Sequence, residues 1–240
     1  MDRRGNDHGH RRRISVRRLT CLAIAALATA PAFAADSRHP TVVELYQSQG
    51  CSSCPPADLV TNAVADRPDV LALSFAVTYW DRLGWKDTFG DPAFTQRQWD
   101  YAKAGGRGNV ATPQVIVNGR GVLTGNRRAD VDAAIARYDR GIQGPAIVSD
   151  GRTAIIQRGV GKGTLWLVRY DPRTIPVPIR AGENGGRTIP HRNIVRQLVA
   201  LGSWSGPSAR FTLPAERAGL RTALLLQAGT GGAIIASRSL

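Results

Sequence analysis

Residues 41–60 read Thr-Val-Val-Glu-Leu-Tyr-Gln-Ser-Gln-Gly-Cys-Ser-Ser-Cys-Pro-Pro-Ala-Asp-Leu-Val. Thr41 to Tyr46 is a short β-branched run and reads as a strand. Gln47 to Pro56 is a polar turn carrying Cys51 and Cys54. Ala57 to Ala65 reads as a helix with Leu59, Val60, Ala63 and Val64 inward, closed by Arg67-Pro68. The pair Cys51-Ser52-Ser53-Cys54 therefore sits on a strand-to-helix turn, where two intervening residues bring the side chains within disulfide reach. Amides at a helix start stabilise a thiolate on the first cysteine. That sulfur can attack a partner disulfide, and the second can resolve the product. Pro55-Pro56 work against the dipole part of this argument, because proline brings no N–H. The helix then begins at Pro55 with Cys54 or Ser53 as its cap, and no Lys or Arg between Gln47 and Val60 lowers the thiol pKa.

Two other readings of the pair compete with redox exchange. A permanent Cys51–Cys54 staple closes a tiny loop and stabilises little. A zinc or copper site needs further ligands, yet there is no second CxxC, and His39 and His191 are the only histidines beyond residue 34. No metal and no cofactor is expected.

Outward from the turn, Val70 to Val77 is a near-continuous apolar run, the pattern of a central strand covered on both faces. Tyr79 to Asp91 is an aromatic loop, Pro92 to Lys103 a helix, Gly105 to Gly108 a break. Gln114 to Asn118 is a strand that turns through Gly119-Arg120-Gly121 into Val122-Leu123, and Arg128 to Arg140 is a helix. This order points to an α/β sheet layered with helices. After Gly141 the pattern becomes one of short strands, at 153–156, 164–170, 175–179, 209–213, 222–227 and 233–236. Residues 193–201 suit either strand or helix. Short strands with Gly and Pro turns suggest a small antiparallel sandwich. The expected organisation is an α/β domain over 38–141 and a β-rich domain over 145–240.

A CxxC at the first helix, followed by Thr112-Pro113 before a later strand, resembles the thioredoxin superfamily. The resemblance implies a cis-proline at Pro113 set against the CxxC, with the backbone of Thr112 offered to an extended partner chain. The fuller match is narrower. Ser48 to Asp58, Tyr79-Trp80-Asp81, Gly84 to Asp87, Thr112-Pro113-Gln114, Gly182-Glu183-Asn184 and Leu201 to Trp204 are similar to an exported bacterial thioredoxin-like family of unknown function. Many of its members carry His and Asp where this chain has Ala76 and Thr78, and Tyr where it has Ala111. A proton-shuttling role for such a pair is therefore missing.

Tyr79, Trp80, Trp85 and Phe89 leave the central strand at its C-terminal end, the binding edge of an open α/β sheet. They read either as a wall gripping a substrate chain or as a minicore joining the two domains. Asp81 is a candidate proton acceptor for Cys54, or a helix cap. Lys86 and Asp87 read as a surface pair.

Residues 1–34 read as an export signal: an Arg-rich start, the apolar run Leu19 to Ala30, and Ala32-Phe33-Ala34 as a cleavage site. Cys21 belongs to it. The signal holds seven of the basic residues, all Arg, and two Asp, so the rest of the chain carries a net charge of +9, scattered singly. Scattered Arg reads as solvated surface, not a nucleic-acid footprint. No stable membrane insertion is expected after cleavage, and the compartment is periplasmic or extracellular, where disulfides persist. The expected activity is thiol–disulfide exchange with cysteine-containing exported proteins or a redox partner protein. The alternative is a non-catalytic thioredoxin-fold binding module with a fixed Cys51–Cys54 disulfide.

Overall fold

The computed structural model describes Met1 and residues 34–240, so the expected export signal and Cys21 lie outside the described residues. Among the described residues no helix is long and apolar enough to cross a membrane. Residues 34–240 belong to one compact unit.

The elements run β1 (Thr41–Gln47), α1 (Pro55–Val64), β2 (Val70–Ala76), a 3-10 turn (Asp81–Leu83), α2 (Pro92–Ala104), β3 (Gln114–Val117), β4 (Gly121–Leu123) and α3 (Arg128–Tyr138). Nine further strands follow: β5 (Ile147–Ser149), β6 (Thr153–Ile156), β7 (Gly163–Asp171), β8 (Ile175–Pro178), β9 (Thr188–His191), β10 (Ile194–Trp204), β11 (Ala209–Thr212), β12 (Arg221–Gln227) and β13 (Ile234–Ser239). The ambiguous stretch is a strand, β10. Its pairing with β7 carries register irregularities between Val195 and Gln197 and between Ala200 and Gly202. Such bulges break the two-residue alternation that marks a strand in sequence.

The main sheet has eight strands in the order β13-β12-β7-β10-β2-β1-β3-β4. It is mixed: β1 and β2 are parallel, β1 and β3 antiparallel. The sheet crosses the 141–145 region. Its seam is β2 against β10, where Ser74 pairs with Ile194 and the Asn193 amide donates to the Ala72 carbonyl at 2.8 Å. The change in sequence pattern at 141–145 is thus a change in what covers the sheet, not the sheet's edge.

Alternation along the strands shows why. Val43 and Leu45 of β1 and Ala72 of β2 pack with Ala57, Val64, Val131 and Ile135, so α1 and α3 cover that face. Val42, Tyr46, Leu73 and Phe75 point the other way, onto Phe94 and Tyr101 of α2. This layer continues through Val168 of β7 and Ala223 and Leu225 of β12. The intervening residues Leu165, Leu167, Leu224 and Leu226 meet Ile147, Ala154 and Ile156 of a three-stranded sheet, β11-β6-β5. In the second half that small sheet takes the place α1 and α3 hold in the first.

Helix α1 is rotated from the expected face. Ala57, Asp58, Thr61 and Val64 are its buried residues, while Leu59 is 60% exposed. Ala57, Thr61 and Val64, spaced by four and three residues, share the face that meets the sheet, and Val60 packs at its margin.

Candidate functional site

The turn after β1 carries both cysteines to one end of the sheet. Cys54 caps α1, as the missing proline N–H groups require, and its carbonyl accepts from the Ala57 and Asp58 amides at 2.9 and 3.1 Å. The Thr112–Pro113 bond is cis. Thr112 lies beside the cysteine turn: its carbonyl is 3.7 Å from Cys51 Sγ and accepts from the Ser53 hydroxyl at 3.4 Å. That carbonyl is therefore engaged within the chain, where the resemblance implied a backbone held out to a partner. Gln98 of α2 braces the same stretch, donating to the Ala111 carbonyl at 2.9 Å and to Gln114 at 3.1 Å.

Both cysteines are free thiols here, not the disulfide expected from the sequence. Their environments push them apart. Cys51 is lowered to about 6, first by a hydrogen bond from the Cys54 thiol, then against burial by Ser53 and Thr112. Cys54 is driven far above the ordinary thiol range by burial and by its bond and charge coupling to Cys51. The thiolate thus rests on hydrogen bonds, where the sequence argument invoked helix-start amides that Pro55 and Pro56 cannot supply. Replacing Cys54 by Ala should accordingly raise the Cys51 midpoint well above 6, read as thiolate absorbance near 240 nm against pH. An unchanged midpoint would locate the stabilisation elsewhere.

Cys51 is 0% exposed and Cys54 1%. The segment joining β8 to β9 packs against the backbone of the turn that carries them. Glu183 Oε2 accepts the Ser52 N–H at 3.0 Å. The buried Asn184 side chain donates to the Gln49 carbonyl at 2.9 Å and to the Cys51 carbonyl at 2.8 Å. Gly182, at φ +73°, lets the segment pass close to Trp85, where an added Cβ would sit 3.2 Å from the Trp85 Cβ. Asn184→Ala removes two buried bonds to carbonyls, a loss of about 1–3 kcal/mol. It should speed alkylation of Cys51 by iodoacetamide roughly ten-fold or more. An unchanged rate would show that this segment does not gate the thiol.

The aromatic loop braces the site. Trp80 Nε1 donates to the Thr112 hydroxyl at 2.7 Å, and Trp85 Nε1 to Gln49 Oε1 at 2.9 Å. Trp85 and Phe89 pack with Val177, Ile179 and Ile189, a minicore between this loop and the β8–β9 hairpin. Tyr79 bonds Gln98 at 3.3 Å, and burial raises its hydroxyl to about 12.

Asp81 accepts the Asp87 N–H at 3.0 Å. Asp87 is 2% exposed and accepts from the Gln49 and Phe89 amides at 2.7 and 2.8 Å, so it is an internal brace and not half of a surface pair with Lys86. The carboxylate whose charge reaches Cys54 is Asp58. Asp58 contacts His191 at 3.3 Å, and both are buried. Sequence reasoning quoted Asp58 and Asn184 only as motif letters and His191 only as an unused metal ligand. The four-residue step from Cys54 to Asp58 was the one signal that one helix face holds both. Among the described residues no group of three or more His, Cys, Asp or Glu is placed to hold a metal ion.

Residues 42–227 match the family described as "Protein of unknown function (DUF1223)", and the chain belongs to that family. A crystal structure of a protein from Agrobacterium tumefaciens is 31% identical, covers 86% of this chain and 94% of its own, and superimposes with a TM-score of 0.72. HBP35 of Porphyromonas gingivalis is 13% identical over 86% of this chain and 76% of its own, with a TM-score of 0.56, a likeness of fold alone. No curated protein matches the chain.

Proposed function

We propose that this DUF1223 chain is an exported thiol–disulfide oxidoreductase whose first half is a thioredoxin-like domain, acting on cysteine-containing proteins of the periplasm or exterior. The observation that carries the reading is the division of labour in the pair. Cys51 is held as a thiolate near neutral pH, and its neighbour is kept protonated and buried. A nucleophile needs the first state, and a group that acts only after the first attack needs the second. With its pKa lowered to about 6, Cys51 favours the thiolate at neutral pH and loses that charge as pH falls through the midpoint. Thr112, Trp80 and Trp85, each half-buried near the cysteine turn, are the groups against which a partner chain would be held, and the cis bond at the buried Pro113 sets Thr112 in place. Opening of the 180–187 segment precedes attack.

One observation favours the binding-module reading: neither sulfur has appreciable exposed surface. The two readings separate in a single experiment. The folded protein is equilibrated in dithiothreitol buffers of graded ratio, quenched with acid, alkylated and weighed. A reversible two-electron transition without unfolding supports the oxidoreductase. A pair that stays oxidised until the protein unfolds would make Cys51–Cys54 a fixed disulfide and leave binding as the function.

A further inference from the structure

Behind the cysteine turn lies a buried ionisable pair. Asp58 follows Cys54 by four residues, and Cys54 itself has helical dihedrals, φ −76° and ψ −36°. At that spacing two side chains stand on one helix face, with Cβ atoms about 5–6 Å apart. Asp58 is 2% exposed, and His191, arriving on β9, is 0% exposed. Asp58 Oδ1 lies 3.3 Å from His191 Nδ1. Asp58 Oδ2 and His191 Nε2 are both buried without a hydrogen-bond partner. Buried polar atoms are ordinarily satisfied, and an orphaned carboxylate oxygen on the face of a thiol calls for a reason.

Chemistry supplies one. Cys54 must lose its proton to attack the sulfur of Cys51, yet it is shut away from water and its thiol is strongly disfavoured from ionising. The proton needs an internal acceptor. Burial raises the Asp58 carboxyl, which makes it a better base than an exposed carboxylate, and His191 moderates that rise. Burial opposes charge on His191, but Asp58 and, from the loop before α2, Asp87 hold its pKa above the ordinary value. The groups facing the pair are Cys54 on α1, Asp87, and the Phe89 ring, whose centroid is 6.1 Å from that of His191 at 82°. No Lys or Arg bonds to either member among the described residues.

Resting on the oxidoreductase reading, we infer that Asp58, positioned by His191, accepts the Cys54 proton when Cys54 resolves a mixed disulfide on Cys51. The Cys51 thiolate attacks a partner disulfide, forming Cys51–S–S–partner and releasing the first partner sulfur as thiolate. The Cys54 proton passes to Asp58 Oδ2, and the Cys54 thiolate forms the Cys51–Cys54 bond. The electron pair of the broken bond leaves on the second partner sulfur, and solvent protonates the departing thiolate. The dithiol is oxidised, the partner disulfide reduced by two electrons, and Asp58 returns its proton to solvent when the site opens. His191, a residue of the β-rich half, is the positioning residue.

The test uses the reduced full chain mixed in stopped flow with 5,5′-dithiobis(2-nitrobenzoate). The first coloured thiolate reports mixed-disulfide formation at Cys51 and the second reports resolution by Cys54. In Asp58→Asn the first phase should keep its wild-type rate, while the second slows at least ten-fold and, where the wild type is flat between pH 6 and 9, climbs with hydroxide. His191→Gln should shift the pH midpoint of the second phase and slow it less. Wild-type rates and pH profile for resolution in both variants would overturn the role of Asp58 and leave the oxidoreductase reading standing. Should Asp58→Asn fail to fold, the wild-type second phase decides. A plateau between pH 6 and 9 supports an internal acceptor, and a rate that climbs with hydroxide throughout refutes one. Absence of both phases in the wild type would remove the oxidoreductase reading and this role together.

Discussion

Cys54→Ser should accumulate mixed disulfides with cysteine-containing partners, visible as reducible high-mass species, and its turnover in disulfide reduction should fall by roughly a thousand-fold or more. Cys51→Ser should trap none and be equally inactive. The asymmetry follows from the acidities. The group at about 6 is the only one of the two ionised near neutral pH, so the first attack belongs to Cys51. Cys54, buried and protonated, enters only when a mixed disulfide presents a sulfur to it. Limiting iodoacetamide should likewise label Cys51 first. Acidity and not exposure decides this, since both sulfurs are buried alike. If Cys51→Ser captured the partners instead, the two roles would be reversed.

The second large effect is on stability. Glu44 is 1% exposed and Arg97 4%. Arg97 Nε and Nη2 donate to Glu44 Oε1 at 3.1 and 2.7 Å, Nη1 donates to Gln227 Oε1 at 3.0 Å, and Nη2 also donates to the Tyr101 hydroxyl at 3.1 Å. The guanidinium carbon lies 5.2 Å from the Tyr101 ring centroid and 5.4 Å from that of Trp166. One side chain thereby joins β1, α2 and β12, strands from both halves of the chain. Arg97→Met leaves Glu44 charged, buried and unpaired, which should cost about 3–5 kcal/mol in urea unfolding. Glu44→Gln together with Arg97→Met removes both charges and should recover much of the loss. A single-variant loss below about 1 kcal/mol would mean that Glu44 finds water or a proton without disturbing the sheet.

Sequence alone determined a good deal here, because local rules sufficed. The β-branched run at Thr41, the apolar run at Val70 and the turn residues between them give β1, α1 and β2 within a residue or two, with Pro55-Pro56 marking the helix start. The same prolines made Cys54 the cap, as the loss of N–H donors demands. The order of elements implied a layered α/β sheet, and the structure shows a large mixed sheet with helices on it. Thr112 lies beside the CxxC as the resemblance, rather than any local rule, implied. Tertiary structure decided what depends on residues more than a hundred positions apart. Val70 to Ala76 looks like a central strand because it is covered on both faces, but only the fold shows that β10 pairs beside it and carries the sheet onward. Asn184 and Glu183 carry no local signal of function; they matter because the β8–β9 hairpin returns against the turn that carries Cys51. Asp58 could be placed near Cys54 by helical spacing, but not its partner, since His191 arrives from another strand. Electrostatics follows the same division: spacing brings two thiols together, and the thiolate is set by who donates to it and how far water is excluded, which only packing decides.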